Sequence, residues 1–149
     1  MERRFEGDAE EPRGLSTPGR ILVDTSVWID FFSSRPGPAG AELRRLIADA
    51  APVAFTGIIV TEILEGLIRE AEKVADFLAQ FDLLEPAGLG PYVRAAELFR
   101  QARSRGLALT TVDAWIAALA LEHAAQLFTL DLDFVRLAKF VPLELYSFG

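Results

Sequence analysis

The chain has 149 residues, no cysteine and one histidine, with 51% hydrophobic and 25% charged side chains and a formal net charge of −7. That size suits one domain around one core, and the missing thiols exclude a disulfide scaffold, a thiolate zinc site and a cysteine nucleophile. No apolar run reaches the roughly 18 to 20 residues of a membrane span, and the acidic balance argues against a broad electrostatic grip on nucleic acid.

Residues 1–19 carry five acidic and three basic side chains among Gly7, Pro12, Gly14 and Pro18. Their scattered apolar residues offer little burial, so they are expected to form a flexible arm, with one domain over residues 20–149. The charged start also lacks a secretory h-region, and the expected location is the cytoplasm. Ile21-Leu22-Val23 predicts a strand that stops at Asp24, with Thr25 and Ser26 as candidate caps of an apolar helix through Val27-Trp28-Ile29. Two Pro and two Gly make Ser33–Gly40 a loop, after which Leu43, Leu46 and Ile47 recur at helical spacing. Pro52–Phe55 reads as a second strand. Thr56 then caps a helix through Ile68 whose buried stripe is Ile59, Ile63, Leu64 and Leu67, and Glu62 lies in its first two turns. Gly66, inside that helix, suggests close helix packing.

Val74, Phe77, Leu78 and Phe81 mark another amphipathic helix, Leu83-Leu84 a short strand, and Pro91 opens a long helix to Arg105 that stops at Gly106. Thr110 or Thr111 caps an apolar helix from Val112 to His123, followed by a strand over Gln126–Thr129. Asp131–Phe140 is a short helix or turn, and Pro142–Tyr146 a closing strand. Strands alternating with helices specify an α/β domain with a mainly parallel sheet, in which ligands bind beyond the carboxyl ends of the strands.

That rule selects acids. Asp24 ends the first strand and Asp131 lies two residues past the strand over Gln126–Thr129, while Glu62 and Asp113 sit near the N-termini of helices that begin at the same edge. Each also has a plainer reading: Asp24 as a helix cap, Glu62 as a solvated helix residue, Asp113 as a first-turn acid, Asp131 and Asp133 as a helix start. Two unit charges about 4 Å apart repel by about 4 kcal/mol at an effective dielectric near 20. Clustered carboxylates therefore call for a cation or shared protons. Oxygen ligands without imidazole or thiolate favour Mg²⁺ or Mn²⁺, which bridge carboxylates to phosphate, so the implied substrate is a phosphoester.

Four segments carry a resemblance. Val23-Asp24-Thr25-Ser26-Val27-Trp28-Ile29-Asp30-Phe31-Phe32, Thr61-Glu62-Ile63-Leu64-Glu65-Gly66, Thr111-Val112-Asp113-Ala114-Trp115-Ile116-Ala117-Ala118-Leu119-Ala120 and Thr129-Leu130-Asp131-Leu132-Asp133-Phe134 occur in that order. As a set they resemble the four motifs of PIN-domain ribonucleases, most closely the VapC-type toxins of toxin–antitoxin pairs. The resemblance implies a PIN-like fold, a homodimer, Mg²⁺ or Mn²⁺ dependence and endonucleolytic cleavage of RNA. It also implies that Asp24, Glu62, Asp113 and Asp131 are the metal-holding, catalytic acids, with Asp133 either a further ligand or a residue that ties down the turn. The implied partner is a small VapB-type antitoxin whose basic tail reaches the acidic pocket. The chain departs from the pattern in its 19-residue arm and in Trp115, where a smaller aliphatic residue is usual.

The expected chemistry is metal-assisted hydrolysis, with Thr25, Ser26 and Thr129 orienting ligands or touching phosphate. The competing class is a PIN-fold module that binds RNA or protein without cutting. A haloacid-dehalogenase or receiver domain fits less well, because Lys73 and Lys139 are poorly placed for the lysine those families need. Arg94, Arg100, Arg103 and Arg105 form either a solvated face or a grip on RNA. Trp28, Phe31, Phe32 and Phe77 are core, dimer seam or partner groove, and His123 is assigned to a helix C-terminus. Deletion of the arm to Pro18 should leave the melting temperature nearly unchanged; a fall of many degrees would show that the arm packs on the core.

Overall fold

The computed structural model describes residues 19–149. All of the expected arm except Gly19 therefore lies outside the described residues. Four strands, β1 (Ile21–Val23), β2 (Val53–Thr56), β3 (Asp82–Leu84) and β4 (Gln126–Phe128), pair in the order β3-β2-β1-β4, and every neighbouring pair is parallel. The crossovers are helical: α1 (Thr25–Phe32) and α2 (Pro38–Ala48) after β1, α3 (Gly57–Gly66) and α4 (Ala71–Leu78) after β2, α5 (Gly90–Ser104) and α6 (Thr111–Glu122) after β3. A short α7 (Leu132–Leu137) follows β4. No helix among the described residues is long and apolar enough to cross a membrane.

β1 and β2 are buried along their whole length, which explains why both read as unbroken apolar runs rather than alternating ones. From β1 the chain steps outward to β2 and β3, then returns to the far side of β1 as β4. The strand order therefore reverses between β1 and β4, where a doubly wound sheet opens its crevice. The amide of Asp24 donates to the carbonyl of Phe128 (2.8 Å), which ties the ends of these two strands together.

Trp28 fixes α1 over the sheet. It is fully buried, its indole Nε1 donates to the Val23 carbonyl (3.1 Å), and its ring lies 5.5–6.0 Å from those of Phe31, Phe32, Phe55 and Phe81. Trp28 is therefore core, and Phe31, Phe32 and Phe77 are partly buried companions packed on that core.

Several expectations need correction. Asp24, rather than Thr25 or Ser26, occupies the N-cap position of α1, and its side chain makes no capping bond. The loop after α1 ends earlier than Gly40, because α2 starts at Pro38. Its cap comes from a distance: the Asp30 carboxylate accepts from the amides of Gly37 (3.0 Å) and Gly40 (2.7 Å). Gly40 is also where helices approach closely, since a Cβ there would meet the Phe31 nitrogen at 2.9 Å and the Asp30 carbonyl at 3.0 Å. At Gly66 a Cβ would find only Ile29 Cδ1 at 3.7 Å, an ordinary contact, so tight packing does not explain that glycine.

α3 stops at Gly66 instead of running through Ile68, which lies beyond it in a 3₁₀ turn and is 83% exposed. The cap positions of Thr56 and Thr110 hold, their hydroxyls accepting from the amides of Ile59 (3.4 Å) and Asp113 (3.0 Å). The closing segment is reduced to one parallel bridge, Leu145 to Leu127, flanked by two 2.8 Å backbone bonds. A three-residue β4 offers little to pair with, and Pro142 brings no amide to the ladder.

Candidate metal centre

Asp24 sits where β1 ends and is only 7% exposed. Its Oδ2 accepts two hydroxyl bonds, from Ser26 Oγ (3.0 Å) and Thr129 Oγ1 (2.8 Å). Each hydroxyl is oriented by a backbone donor: Ser26 Oγ accepts from the Leu130 amide and Thr129 Oγ1 from the Asp131 amide, both at 3.0 Å. With those amides supplying the hydroxyl oxygens, both hydroxyl protons are left to point at Asp24. Burial pushes the Asp24 carboxyl above its ordinary range, the hydroxyl bonds from Thr129 and Ser26 pull it back, and the charge of Glu62 adds to the rise.

Glu62 stands in the second turn of α3, and its Oε1 accepts from Thr25 Oγ1 (2.6 Å), so α1 holds the acids of two different crossovers. Asp113 is in the first turn of α6, where the helix dipole favours a negative charge. Burial nevertheless raises its carboxyl; Thr110 opposes this, and the charges of Asp131 and Asp24 reinforce it. Asp131 is the N-cap of α7, its Oδ1 accepting from the Asp133 amide (2.9 Å). The Asp133 carboxylate accepts from Arg136 (2.8 Å) one turn later.

Asp113, Asp131 and Asp133 each offer an oxygen within 4.8 Å of the other two. Asp24 and Glu62 lie outside this trio. Asp24 is joined to it by the electrostatic coupling to Asp113, and Glu62 is joined to Asp24 in the same way. The geometry thus gathers three of the five acids named from the sequence, with Asp24 and Glu62 at the same sheet edge but outside the group, and the plainer readings of Asp113 and Asp131 hold at the same time. A helix start and a convergence of charge are compatible uses of one residue.

Like charges at such separations repel by about 3 kcal/mol per pair at an effective dielectric near 20. The donor set is oxygen alone: the single imidazole, His123, lies at the opposite end of α6 against the Glu85 carbonyl (3.0 Å). Hard carboxylate oxygens fit Mg²⁺ or Mn²⁺ and give no reason to expect a thiolate or imidazole metal.

Residues around the centre are sorted by the same geometry. Trp115 pairs with Tyr92 of α5, ring centres 6.4 Å apart, so it serves the α5–α6 seam. Arg94 on α5 approaches Glu97 (3.6 Å), and Arg105, just past the end of that helix, stacks 4.8 Å over Phe140. The Arg136 pair with Asp133 was not part of the sequence reading; its signal is the i, i+3 spacing on a short helix.

The family model described as PIN domain matches residues 21–140. Ribonuclease VapC11 of Mycobacterium tuberculosis is 32% identical over 135 residues, covering 86% of this chain and 98% of that protein. Among solved structures, VapBC2 from Rickettsia felis bound to a DNA fragment from its promoter superposes with a TM-score of 0.70 at 18% identity, covering 87% of this chain and 99% of that one. The sarcin-ricin loop cleaving toxin VapC20 of M. tuberculosis superposes with a TM-score of 0.59 at 22% identity, over 83% of this chain and 98% of its own. With a family model spanning the sheet and all four acidic segments, and a full-length relative above 30% identity, the chain belongs to the PIN domain family and, within it, to the VapC proteins.

Proposed function

We propose that this chain is a divalent-metal-dependent endoribonuclease, the toxin of a toxin–antitoxin pair, with residues 20–149 as the working domain. The observation that carries the reading is the convergence of Asp113, Asp131 and Asp133 within 4.8 Å, with the buried Asp24 tied to the Asp131 amide through the Thr129 hydroxyl. Asp24, Glu62, Asp113 and Asp131 would hold Mg²⁺ or Mn²⁺, directly or through water, and Asp133 would act as a further ligand or as a brace for the turn. Bound there, the ion supplies an acidified water and neutralises charge developing on the phosphodiester. The chain's own part is positional. Thr25 aims Glu62, and Ser26 and Thr129 aim Asp24, so the carboxylates are placed before substrate arrives. No protein nucleophile is required. The relative named as a ribonuclease and the sarcin-ricin loop cleaving toxin support RNA as the substrate, and the VapBC complex supports an antitoxin partner. A homodimer and a cytoplasmic location complete the proposal.

The deciding experiment is cleavage of single-stranded and structured RNA by the purified chain with Mg²⁺, with Mn²⁺ and with EDTA. Cleavage should require metal and fall by at least about 100-fold in Asp24→Asn and Asp131→Asn. Metal-independent cleavage, or retention of activity in both variants, would overturn the reading. RNA binding without cleavage would instead favour the non-catalytic module.

The raised Asp24 carboxyl makes a separate prediction about stability. A carboxyl that titrates higher in the folded chain than in the unfolded one binds more protons when folded. It therefore favours the fold at acid pH and opposes it once pH rises above the shifted range. An Asn at this position can present its carbonyl oxygen where Oδ2 sits and carries no charge. Asp24→Asn without metal should melt a few degrees higher than the parent at pH 7, and the gain should vanish as pH falls through the carboxylate range. A lower melting temperature at pH 7 would mean that the charge itself is structural.

For the partner, a small protein with a basic tail should co-purify on co-expression and block cleavage in a salt-sensitive way. A guanidinium pairs bidentately with carboxylates that otherwise need a cation. If no small basic-tailed protein co-purifies or inhibits, the toxin assignment falls while the nuclease assignment stands.

A further inference from the structure

We propose that Arg136 is a contact for a backbone phosphate of the RNA, and that Asp133 is the residue that positions it. The proposal rests on the nuclease reading above and adds the means by which an acidic protein brings a polyanion to an acidic site.

Asp133 belongs to the carboxylate trio, yet one of its oxygens already accepts from Arg136 Nη1 at 2.8 Å. Of the ion pairs among the described residues, this is the one that includes a site acid. Asp133 is itself held, because its amide donates to Asp131 Oδ1 at 2.9 Å. The chain Asp131, Asp133, Arg136 thus carries a guanidinium to the lip of the cluster, one contact away from oxygens that would hold the metal.

An exposed i, i+3 pair contributes little to a fold, so stability is a weak reason for this arrangement. The side chain of Arg136 is 57% exposed, which leaves part of its planar fork facing solvent. A guanidinium keeps several donors beyond the one engaged here, and its fork matches two phosphate oxygens. With a net charge of −7 the chain as a whole repels RNA, so a cation at the point of entry has a local task. Pairing with Asp133 also lowers the demand of that carboxylate for metal, leaving Asp113 and Asp131 as the trio's main ligands.

The test is steady-state cleavage of a labelled mixed-sequence single-stranded RNA in Mg²⁺ at several salt concentrations, comparing the parent with Arg136→Gln and Arg136→Lys. Arg136→Gln should raise KM about 10-fold with kcat changed less than about threefold. Its dependence of log KM on log salt should be shallower by about 0.7, the loss of one phosphate contact on a single strand. Arg136→Lys should fall between the two, since an ammonium keeps the charge and loses the fork. Asp133→Asn should raise KM as well, and the double variant with Arg136→Gln should add little further, as for two residues acting as one unit.

An unchanged KM and salt slope in Arg136→Gln would overturn the proposal and leave a surface ion pair. Tighter Mn²⁺ binding with unchanged KM would overturn it too, making Arg136 a counter-ion of the cluster. Anisotropy of the same RNA separates this contact from the nuclease reading. If the parent binds without cutting and Arg136→Gln loses affinity, the contact stands and the nuclease reading falls.

Discussion

Carboxylates gathered at one edge of a sheet repel one another, and the rest of this structure is organised around holding them there. The most buried of them, Asp24, is held by protons rather than by a basic partner. Two hydroxyls donate to a single oxygen, and each hydroxyl oxygen is occupied by a backbone amide of the segment that carries Asp131. A lysine or arginine in that place would neutralise the site and occupy the position a metal needs. Hydroxyls orient the carboxylate and offset part of its burial while leaving its charge in place. The net effect remains unfavourable to the ionised acid, since burial outweighs the bonds. That residual cost is the electrostatic demand a cation can meet.

Holding the acids in register is a matter of topology. Because the sheet runs β3-β2-β1-β4 with every neighbour parallel, all four strands end at one edge, and the order reverses beside Asp24. α6 returns toward the start of β4, so its N-terminus and Asp113 lie at that same edge. Trp28 then secures the turn that begins α1. Buried, and bonded to the Val23 carbonyl, it locks α1 over the strand end that bears Asp24, and α1 in turn supplies Thr25 to Glu62. The acids therefore stand on strand ends and first or second helical turns, not on long loops. Placement on rigid elements is what permits close carboxylates to persist without relaxing apart.

Much of this was legible in residue order. Apolar runs and helical spacing locate the four strands and the helices between them, and the rule for parallel sheets singles out Asp24, Glu62, Asp113 and Asp131 from residue order alone. What could not be read was each feature that depends on a distant partner. α2 begins at Pro38 because Asp30, seven residues before Gly37, supplies its cap across a bend. The apolar run carries the third helix on to Ile68 by composition alone, but that helix ends at Gly66 and the Ile68 side chain faces solvent. Trp115 reads as a departure within an active-site motif, and its position on the α5–α6 seam removes the difficulty. The role of Asp133 stayed open because its amide, its carboxylate and Arg136 had to be seen together. Periodicity reports on burial, whereas caps, ion pairs and helix ends are decided by what lies opposite.

Charge also sets how different ligands would compete for one place. RNA approaches as an anion and, on the reading proposed above, needs an intermediary cation, whether a metal held by the acids or the guanidinium at their lip. A basic peptide needs none, because its own charge answers the same carboxylates. Metal and partner would then exclude each other at the centre while RNA depends on the first and is displaced by the second. Screening would not treat them alike. At about 0.15 M salt the Debye length is about 8 Å, which weakens long-range steering across the exposed lip, yet a pair formed beside the buried Asp24 is shielded far less. The depth of Asp24, rather than the overall charge of the chain, would therefore decide how firmly an inhibitory arginine is held once it has arrived.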